Sequence, residues 1–365
     1  MNIVFGFGHP AQVHLFRNII GELVEKKHKI FICCNDRENV QELLELYGFS
    51  YELYGENHPQ IYIKALDLFR YGYFAYSFFK ECKADLVISA AHYFFLHAAK
   101  LLNIPSLYFT DTEDAKLINS LAFPFSHIIF TPSCFQVPIN YGYHIPYQGY
   151  HELAYLHPNY FTPNPKILSE LGLSAEDPFF ILHFSSWDSS HDIGHRGFAS
   201  KTEMITFVNF LSDFGRVLIT SEIQLPESLE KYRYSSSPLE MHNLLWYASM
   251  YVGEGHTMAT ESAILGTPSV MISSRMFKKK GKVIPNLGNH VELQNYGLLH
   301  AFQNFRSAVP EIKNLLLNKR LKVDWRKRRE NLLKDKIDVT KFVVDFVDKY
   351  PQSFEEYKKG INMEI

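Results

Sequence analysis

Short apolar segments alternate with longer amphipathic ones along the first part of the chain. The apolar segments predict strands at residues 2–7, 30–34, 51–54, 85–90, 106–110 and 127–131. Between the first two, Val13, Phe16, Ile20 and Leu23 recur at helical spacing. Because apolar strands separated by helices form parallel sheets covered on both faces, the pattern predicts an α/β fold.

The alternation lapses from residue 138 to 165, where Pro, Tyr and His are frequent, and then restarts. Strands are predicted at 179–184, 217–220, 250–253 and 269–272, with helices near 201–214 and 239–248. We interpret the lapse as an ordered connection between two Rossmann-like, doubly wound domains, 1–160 and 161–337. An amphipathic segment within 338–365 predicts a helix that packs back on the N-terminal domain. Two such domains in tandem are expected to face a shared ligand cleft.

Composition narrows the class of protein. Lys and Arg number 37 against 39 Asp and Glu, so no overall field favours nucleic acid. Four cysteines without a CxxC pair are typical of reduced thiols in a cytosolic protein, and no segment has signal or transmembrane length. Aromatic residues are 15% of the chain and cluster at 68–79. That segment is either a tightly packed core helix or one that contacts a lipid-linked substrate or, peripherally, the inner membrane face.

Residues 251–268, YVGEGHTMATESAILGTP, predict a strand, a turn and a helix that hold a phosphate group. The turn comprises Gly253, Glu254, Gly255 and His256, and its glycines let the backbone approach an anion. Thr257 is predicted as the N-cap of a helix over 258–265. Glu261, one turn later, has the hydrogen-bonding groups to hold a ribose diol. An ordinary strand-turn-helix without a ligand is the alternative.

Candidate acid–base groups follow predicted strands of the first domain. His9 lies in a glycine turn after the first strand and is a candidate general base or hydrogen-bond donor to a phosphate group. The third glycine of a dinucleotide-binding fingerprint is absent from this turn. Asp111 and Glu113 follow the strand at 106–110, where paired carboxylates can serve as acid and base. Helix capping by Asp111 or Thr112 is the alternative.

A polar segment also follows the first strand of the second domain. Ser185 and Ser186 open it as candidate nucleotide contacts, and Asp188 and His191 are candidate acid–base residues. On a helix the Asp and His side chains would line one face and suggest a metal site. Gly194 and its neighbours favour a substrate-contacting loop instead, so we predict no metal.

Several motifs together resemble domain-of-unknown-function family 354. They are GHPAQVHLF, DTEDA, GYHELAYL, SSWDSSHDIG and YVGEGHTMATESAILGTP, and the resemblance spans most of the chain. That family is similar to the GT-B superfamily of glycosyltransferases and non-hydrolysing UDP-N-acetylglucosamine 2-epimerases. The resemblance implies a GT-B-like fold in which Gly255 contacts a diphosphate and Glu261 a ribose. Glu254 departs from the relatives' pattern, as does the absence of Glu-Asn after His195-Arg196.

The combined interpretation is a glycosyltransferase that uses a nucleoside-diphosphate sugar, most simply UDP-linked, in surface polysaccharide or glycolipid assembly. His9, Asp111 or Glu113 would deprotonate an acceptor hydroxyl on a glycan or a lipid-linked molecule, with no cofactor beyond the donor. In the first alternative, a nucleotide-sugar 2-epimerase, Asp111, Glu113 and His191 would remove and return a proton. The second alternative is a non-catalytic nucleotide-sugar-binding protein.

Overall fold

The chain divides into two compact units in this computed structural model. Unit 1 comprises residues 1–160 and 337–365, and unit 2 comprises residues 161–336. The structure describes every residue except 37, 57–60, 91, 186–196, 199, 236, 275–286 and 361–365. The predicted boundaries differ from this division by one residue, because residue 337 belongs to unit 1.

Unit 1 is built on a parallel sheet with helices between its strands. Its described strands are β1 (Asn2–Phe7), β2 (Lys29–Asp36), β3 (Glu52–Glu56), β4 (Leu86–Ala90), β5 (Ser106–Phe109), β6 (Ile128–Pro132) and β7 (Tyr143–Tyr147). Their order in the sheet is β3-β2-β1-β4-β5-β6-β7, and each neighbouring pair is parallel. The connecting helices are α1 (Pro10–Glu25), α2 (Glu38–Leu46), α3 (Ile61–Glu81), α4 (Tyr93–Leu101), α5 (Lys116–Ala122) and α6 (Leu153–Leu156). A 3-10 turn at Phe123–Phe125 follows α5.

One strand of this sheet contradicts the sequence prediction. Residues 138–165 were expected to be a connection, whereas β7 and α6 both lie within them. β7 is last in the described strand order, and Pro146 is tolerated there because an edge strand can lose one ladder donor. The same proline, with exposed Tyr143, obscures the strand signal in the sequence.

Unit 2 repeats the architecture with a smaller sheet. The described strands are β8 (Phe179–Phe184), β9 (Arg216–Ser221), β10 (Met250–Gly253), β11 (Ser269–Ile272) and β12 (Leu299–Phe302), in the parallel order β12-β11-β10-β8-β9. The helices are α7 (Lys166–Glu170), α8 (Lys201–Ser212), α9 (Met241–Tyr247), α10 (His256–Leu265), α11 (Gly288–Asn295), α12 (Phe305–Leu317) and α13 (Leu321–Asp335). Two 3-10 segments, Glu227–Tyr232 and Pro238–Glu240, precede α9. β12 was not among the predicted strands.

The last two helices, α14 (Val339–Asp348) and α15 (Gln352–Lys358), complete unit 1. Phe346 is fully buried, and its ring stands edge-on to that of Phe130 in β6, with centroids 5.1 Å apart. Asp348 accepts hydrogen bonds from Lys26 and His28, which follow α1. The C-terminal helix therefore contributes to the core of unit 1 although unit 2 separates it in sequence.

The aromatic helix α3 has both a buried and an exposed side. Phe79 is 1% exposed and packs into the core with Phe95, whereas Phe69 and Tyr73 are 78% and 75% exposed. Among the described residues, no helix is long and apolar enough to cross a membrane.

Candidate functional site

The end of β10 and the start of α10 form the candidate phosphate site in unit 2. The helix begins at His256, with extended Gly255 as its N-cap, so the prediction of Thr257 as N-cap is wrong. No side chain caps this end, and the first intrahelical bond runs from the Ala259 N–H to the Gly255 carbonyl (3.1 Å). The N–H groups of the first turn therefore point out of the helix at its positive end. At the other end Gly266 is left-handed, with φ 73°, and closes the helix.

The two glycines of the turn are required by neighbouring side chains of unit 2. A Cβ on Gly253 would lie 2.6 Å from the Tyr251 hydroxyl, and one on Gly255 would lie 2.7 Å from the His183 ring. The Tyr251 hydroxyl also donates to the Gly255 carbonyl (3.0 Å). Close packing against His183 and Tyr251 thus accounts for both glycines, where the sequence suggested approach to an anion.

Glu254, the residue that departs from the relatives' pattern, faces backbone amides. Its Oε1 accepts from the N–H groups of Gly197 (2.8 Å) and Phe198 (3.1 Å), and its Oε2 accepts from Ser185 (3.2 Å). The residue is 4% exposed. Its charge is offset by these donors, and both ends of the polar segment after β8 are held to the β10 turn.

Glu261 lies inside unit 2, where His242 on α9 donates to it. The His242 Nε2 and the Glu261 Oε1 are 3.1 Å apart, and both residues are 4% exposed. The histidine fixes the orientation of the carboxylate that the sequence assigns to a ribose. Sequence reasoning missed His242, which stands at a buried position of an otherwise ordinary helix.

A group of hydroxyl and imidazole side chains surrounds the first turn of α10. The His256 Nε2 is 3.1 Å from the hydroxyl of Ser273, and the His290 Nε2 is 3.1 Å from that of Thr260. The two imidazole rings are 5.2 Å apart. Ser273 directly follows β11, a position that the strand-end rule could have identified, whereas nothing in the sequence pattern marks His290.

His183, near the end of β8, is a further residue that the sequence analysis did not select. Its Nδ1 is 2.9 Å from the Thr220 hydroxyl, and its Nε2 is 3.8 Å from Glu222. Burial lowers the pKa of His183, and Glu222 opposes this only in part. At neutral pH a neutral imidazole therefore packs against the β10 turn. A histidine within the apolar run FFILHF was its signal in the sequence.

In unit 1, His9 is the N-cap of α1. Its Nδ1 accepts from the Ala11 N–H (3.2 Å), and the residue is exposed. When the ring is neutral, this bond places its proton on Nε2. The geometry therefore favours His9 as a donor from Nε2 over His9 as a base.

Asp111 and Glu113 have different surroundings. The Asp111 side chain is 23% exposed, and its Oδ2 is 3.4 Å from the Nδ1 of His151. Glu113 is 3% exposed and accepts from the Gln136 N–H (3.3 Å). Helix α5 begins at Lys116 with Ala115 as N-cap, so the alternative of capping by Asp111 or Thr112 is wrong.

Three predicted site residues, Ser186, Asp188 and His191, lie outside the described residues. Within the described part of the chain, no group of three or more His, Cys, Asp or Glu side chains could hold a metal ion. Polar candidate groups therefore lie at the start of α10 in unit 2, and at the start of α1 and in the loops after β5 and β7 in unit 1.

Solved structures with the same two-domain α/β architecture share little sequence with this chain. The S. aureus MnaA–UDP complex matches with a TM-score of 0.66 and 11% identity, covering 96% of this chain and 97% of that one. Neisseria meningitidis UDP-GlcNAc 2-epimerase bound to UDP-GlcNAc gives 0.66 and 12%, covering 96% and 100%. The glycosyltransferase VinC in complex with dTDP gives 0.60 and 13%, with 96% and 100% covered. The fold is therefore GT-B-like, as predicted.

Sequence comparison gives the family. An uncharacterized protein of Methanocaldococcus jannaschii is 22% identical over 271 residues, which cover 72% of this chain and 79% of the relative. Residues 2–351 match the family described as "Protein of unknown function (DUF354)". Since this match covers nearly the whole chain, the protein belongs to the DUF354 family, as the motifs predicted.

Proposed function

We propose that the protein transfers a sugar from a nucleoside-diphosphate sugar, most simply a UDP-sugar, to an acceptor hydroxyl. The observation that carries this proposal is the start of α10, an N-terminus without a side-chain cap in a ten-residue helix that also bears Glu261. Such an end attracts phosphate through its N–H groups and its dipole. Fold neighbours in complex with UDP, UDP-GlcNAc and dTDP support the choice of a nucleotide as ligand.

The leaving group in this reaction is a nucleoside diphosphate, which gains negative charge as the bond to the sugar breaks. Backbone N–H groups at the start of α10 offset that charge without a metal ion. The imidazole of His256, in the first turn, is an additional hydrogen-bonding group. Glu261 would accept hydrogen bonds from the ribose, held for that purpose by His242.

The acceptor class is proposed from chemistry and exposure. The candidate base Asp111 lies in unit 1, so the hydroxyl that attacks the sugar would bind there. Exposed Phe69 and Tyr73 on α3 favour a glycan or lipid-linked acceptor, because aromatic side chains stack on sugars and insert among lipids. Surface polysaccharide or glycolipid assembly is the proposed setting.

A nucleotide-sugar 2-epimerase is the second candidate function. TM-scores of 0.66–0.67 to epimerase structures exceed the 0.57–0.63 found with glycosyltransferases. An epimerase would need no acceptor. NMR of UDP-N-acetylglucosamine incubated with the protein and a glycan or lipid-linked acceptor separates the two, because epimerisation yields a second UDP-sugar and transfer yields free UDP.

The first test is thermal unfolding with UDP, GDP, CMP or dTDP. A ligand at about 100 times its dissociation constant adds roughly 2.7 kcal/mol to the unit that binds it, or about 5–11 °C. We expect nucleotides of one nucleobase to produce this shift and Glu261→Gln to abolish it. The control is Glu311→Gln, on α12, which should keep the shift. If no nucleotide raises the unfolding temperature, the proposal is wrong; binding without epimer or UDP indicates a non-catalytic binding protein.

A further inference from the structure

Three titratable side chains at or just after the ends of two strands of unit 1 lie close to one another. Asp111 follows β5, Tyr147 is the last residue of β7, and His151 lies four residues beyond; β6 separates the two strands. The Asp111 Oδ2 is 3.4 Å from the His151 Nδ1. The rings of His151 and Tyr147 are nearly parallel, at 17°, with centroids 6.5 Å apart. We call these residues the Asp111–His151–Tyr147 cluster.

Exposure orders the three residues from the surface inward. The side chains of Asp111 and His151 are 23% and 14% exposed, and Tyr147 is 2% exposed. Asp111 is therefore the member that a molecule from solvent contacts first. Its second oxygen, Oδ1, accepts from the Thr112 hydroxyl (3.0 Å), so both carboxylate oxygens have defined partners.

The tautomer of His151 follows from what faces it. An ionised carboxylate only accepts hydrogen bonds, so the Nδ1 that faces Asp111 carries the proton and Nε2 does not. Nε2 of His151 and the hydroxyl of Tyr147 are both buried and have no hydrogen-bond partner among the described residues. Since native proteins rarely bury such atoms without a partner, they mark a site rather than ordinary packing.

The Asp111–His151 pair is not a salt bridge, because the histidine is uncharged at neutral pH. Burial lowers the pKa of His151, although Asp111 acts in the opposite direction. The pKa of Tyr147 is raised by burial and then by Asp111, Glu152 and Cys134, the titratable groups around it. At neutral pH both rings are therefore uncharged. A neutral donor orients the Asp111 carboxylate without the positive charge that would weaken it as a base.

We propose that Asp111 removes the proton from the acceptor hydroxyl and that His151 is a positioning residue, which holds the carboxylate through Nδ1–H. This inference rests on the proposed sugar transfer. As the acceptor oxygen bonds to the anomeric carbon, its proton passes to Asp111. The bond from that carbon to the diphosphate breaks, and its electron pair leaves with the nucleoside diphosphate. His9, whose Nδ1 caps α1, and Glu113, at 3% exposure, are thereby assigned other roles.

The first experiment detects the pair without enzymatic activity. In the full-length protein labelled with 15N-histidine, ring-nitrogen chemical shifts report the tautomer, and His151→Gln assigns the signal. We expect the Nδ1–H tautomer in the wild type and a mixture in Asp111→Asn. An Nε2–H tautomer in the wild type, or an identical spectrum in Asp111→Asn, overturns the pairing.

The second experiment uses two variants that each keep one half of the imidazole. An Asn amide nitrogen replaces Nδ1, and a Gln amide nitrogen replaces Nε2. With UDP-N-acetylglucosamine as donor, glycan and lipid-linked hydroxyl compounds as acceptors and UDP release as readout, we expect His151→Asn to keep kcat within about threefold. His151→Gln should lose roughly tenfold, one hydrogen bond's worth, with KM unchanged. Asp111→Asn should lose roughly 100-fold or more. Equal losses in His151→Asn and His151→Gln overturn the positioning role.

A matched control variant and the rise in unfolding temperature with UDP separate this inference from the proposed function. His144→Asn alters a half-buried histidine within β7 and should leave kcat unchanged; an equal loss there would indicate a merely structural effect. UDP should still raise the unfolding temperature of the Asp111 and His151 variants. A wild type that binds UDP but releases none from the donor in the presence of these acceptors overturns the role of Asp111 and leaves nucleotide binding intact. A wild type that binds no nucleotide overturns the proposed function, and the tautomer still decides whether the pair exists.

Discussion

Glu254 is a buried carboxylate whose removal should cost stability. It accepts hydrogen bonds from three backbone amides, those of Ser185, Gly197 and Phe198. In Glu254→Gln one oxygen becomes an NH2 group, which cannot accept from an N–H. We expect a loss of about 1–3 kcal/mol, the usual cost of leaving a buried donor without its acceptor. Urea unfolding followed by tryptophan fluorescence measures this, because Trp246 and Trp325 lie in unit 2.

The control for this prediction is Glu227→Gln. Glu227 is exposed, so the same chemical change there should alter the free energy of unfolding by no more than about 0.5 kcal/mol. Equal effects in the two variants would mean that the three amide contacts contribute nothing beyond surface charge. Nucleotide affinity is a second readout: if Glu254 contacted a ligand instead, its substitution would change UDP binding with little change in stability.

At the scale of one element, the β10–α10 turn should have no room for a Cβ at position 253. In Gly253→Ala the new atom would meet the Tyr251 hydroxyl at 2.6 Å and the His183 backbone oxygen at 2.9 Å. We expect unit 2 to lose about 1–3 kcal/mol, as is common for overpacking. Tyr251→Phe removes the first of these contacts, so the double variant should lose less than the sum of the two single variants. Chemical unfolding of the wild type, the two single variants and the double variant gives the double-mutant cycle.

Gly21 provides the contrasting case. It lies within α1, and a Cβ there would meet nothing within 4 Å. Gly21→Ala should therefore stabilise unit 1 by roughly 0.5–1 kcal/mol, since alanine is the better helix former. Far-UV circular dichroism follows this change. Additive losses in the Gly253 and Tyr251 pair would contradict the packing explanation for the turn.

The sequence predicts an element well where the residues of that element alone determine its structure. β10 agrees with the predicted strand at 250–253, and α10 ends at Leu265 as predicted, because an apolar run and a following glycine are local features of the sequence. β7 could not be recognised, since its stability comes from pairing with β6 and its own sequence contains Pro146. The N-cap was misplaced because Gly255, with no side-chain bond, leaves no capping signature.

The same distinction between local and long-range signals applies to the site residues. Asp111 was identified because acids after a strand are unusual, but its neighbour His151 lies in the loop after β7, forty positions later. His242 and His290 were missed for the same reason: their relation to Glu261 and Thr260 exists only in the folded unit. The direction of the Glu254 side chain also depends on residues that are 56–69 positions away.

At the scale of the whole molecule, the chain contains two cores that can be probed separately. All three tryptophans, Trp187, Trp246 and Trp325, belong to unit 2, so their fluorescence does not report directly on unit 1. Circular dichroism reports on both units. The C-terminal segment belongs to the core of unit 1, so a substitution late in the sequence should affect the first unit and spare the second.

Phe346→Ala tests this assignment. The side chain is fully buried against Phe130, and its removal should cost about 3–5 kcal/mol, or roughly 6–20 °C in the unfolding of unit 1. We expect the circular dichroism transition to move to lower temperature while the tryptophan transition, and its increase with UDP, stay in place. Lys341→Ala, on the exposed side of α14, should move neither. If the tryptophan transition falls together with the other, the two units unfold as one cooperative structure, and stabilisation by a nucleotide would then protect the entire chain.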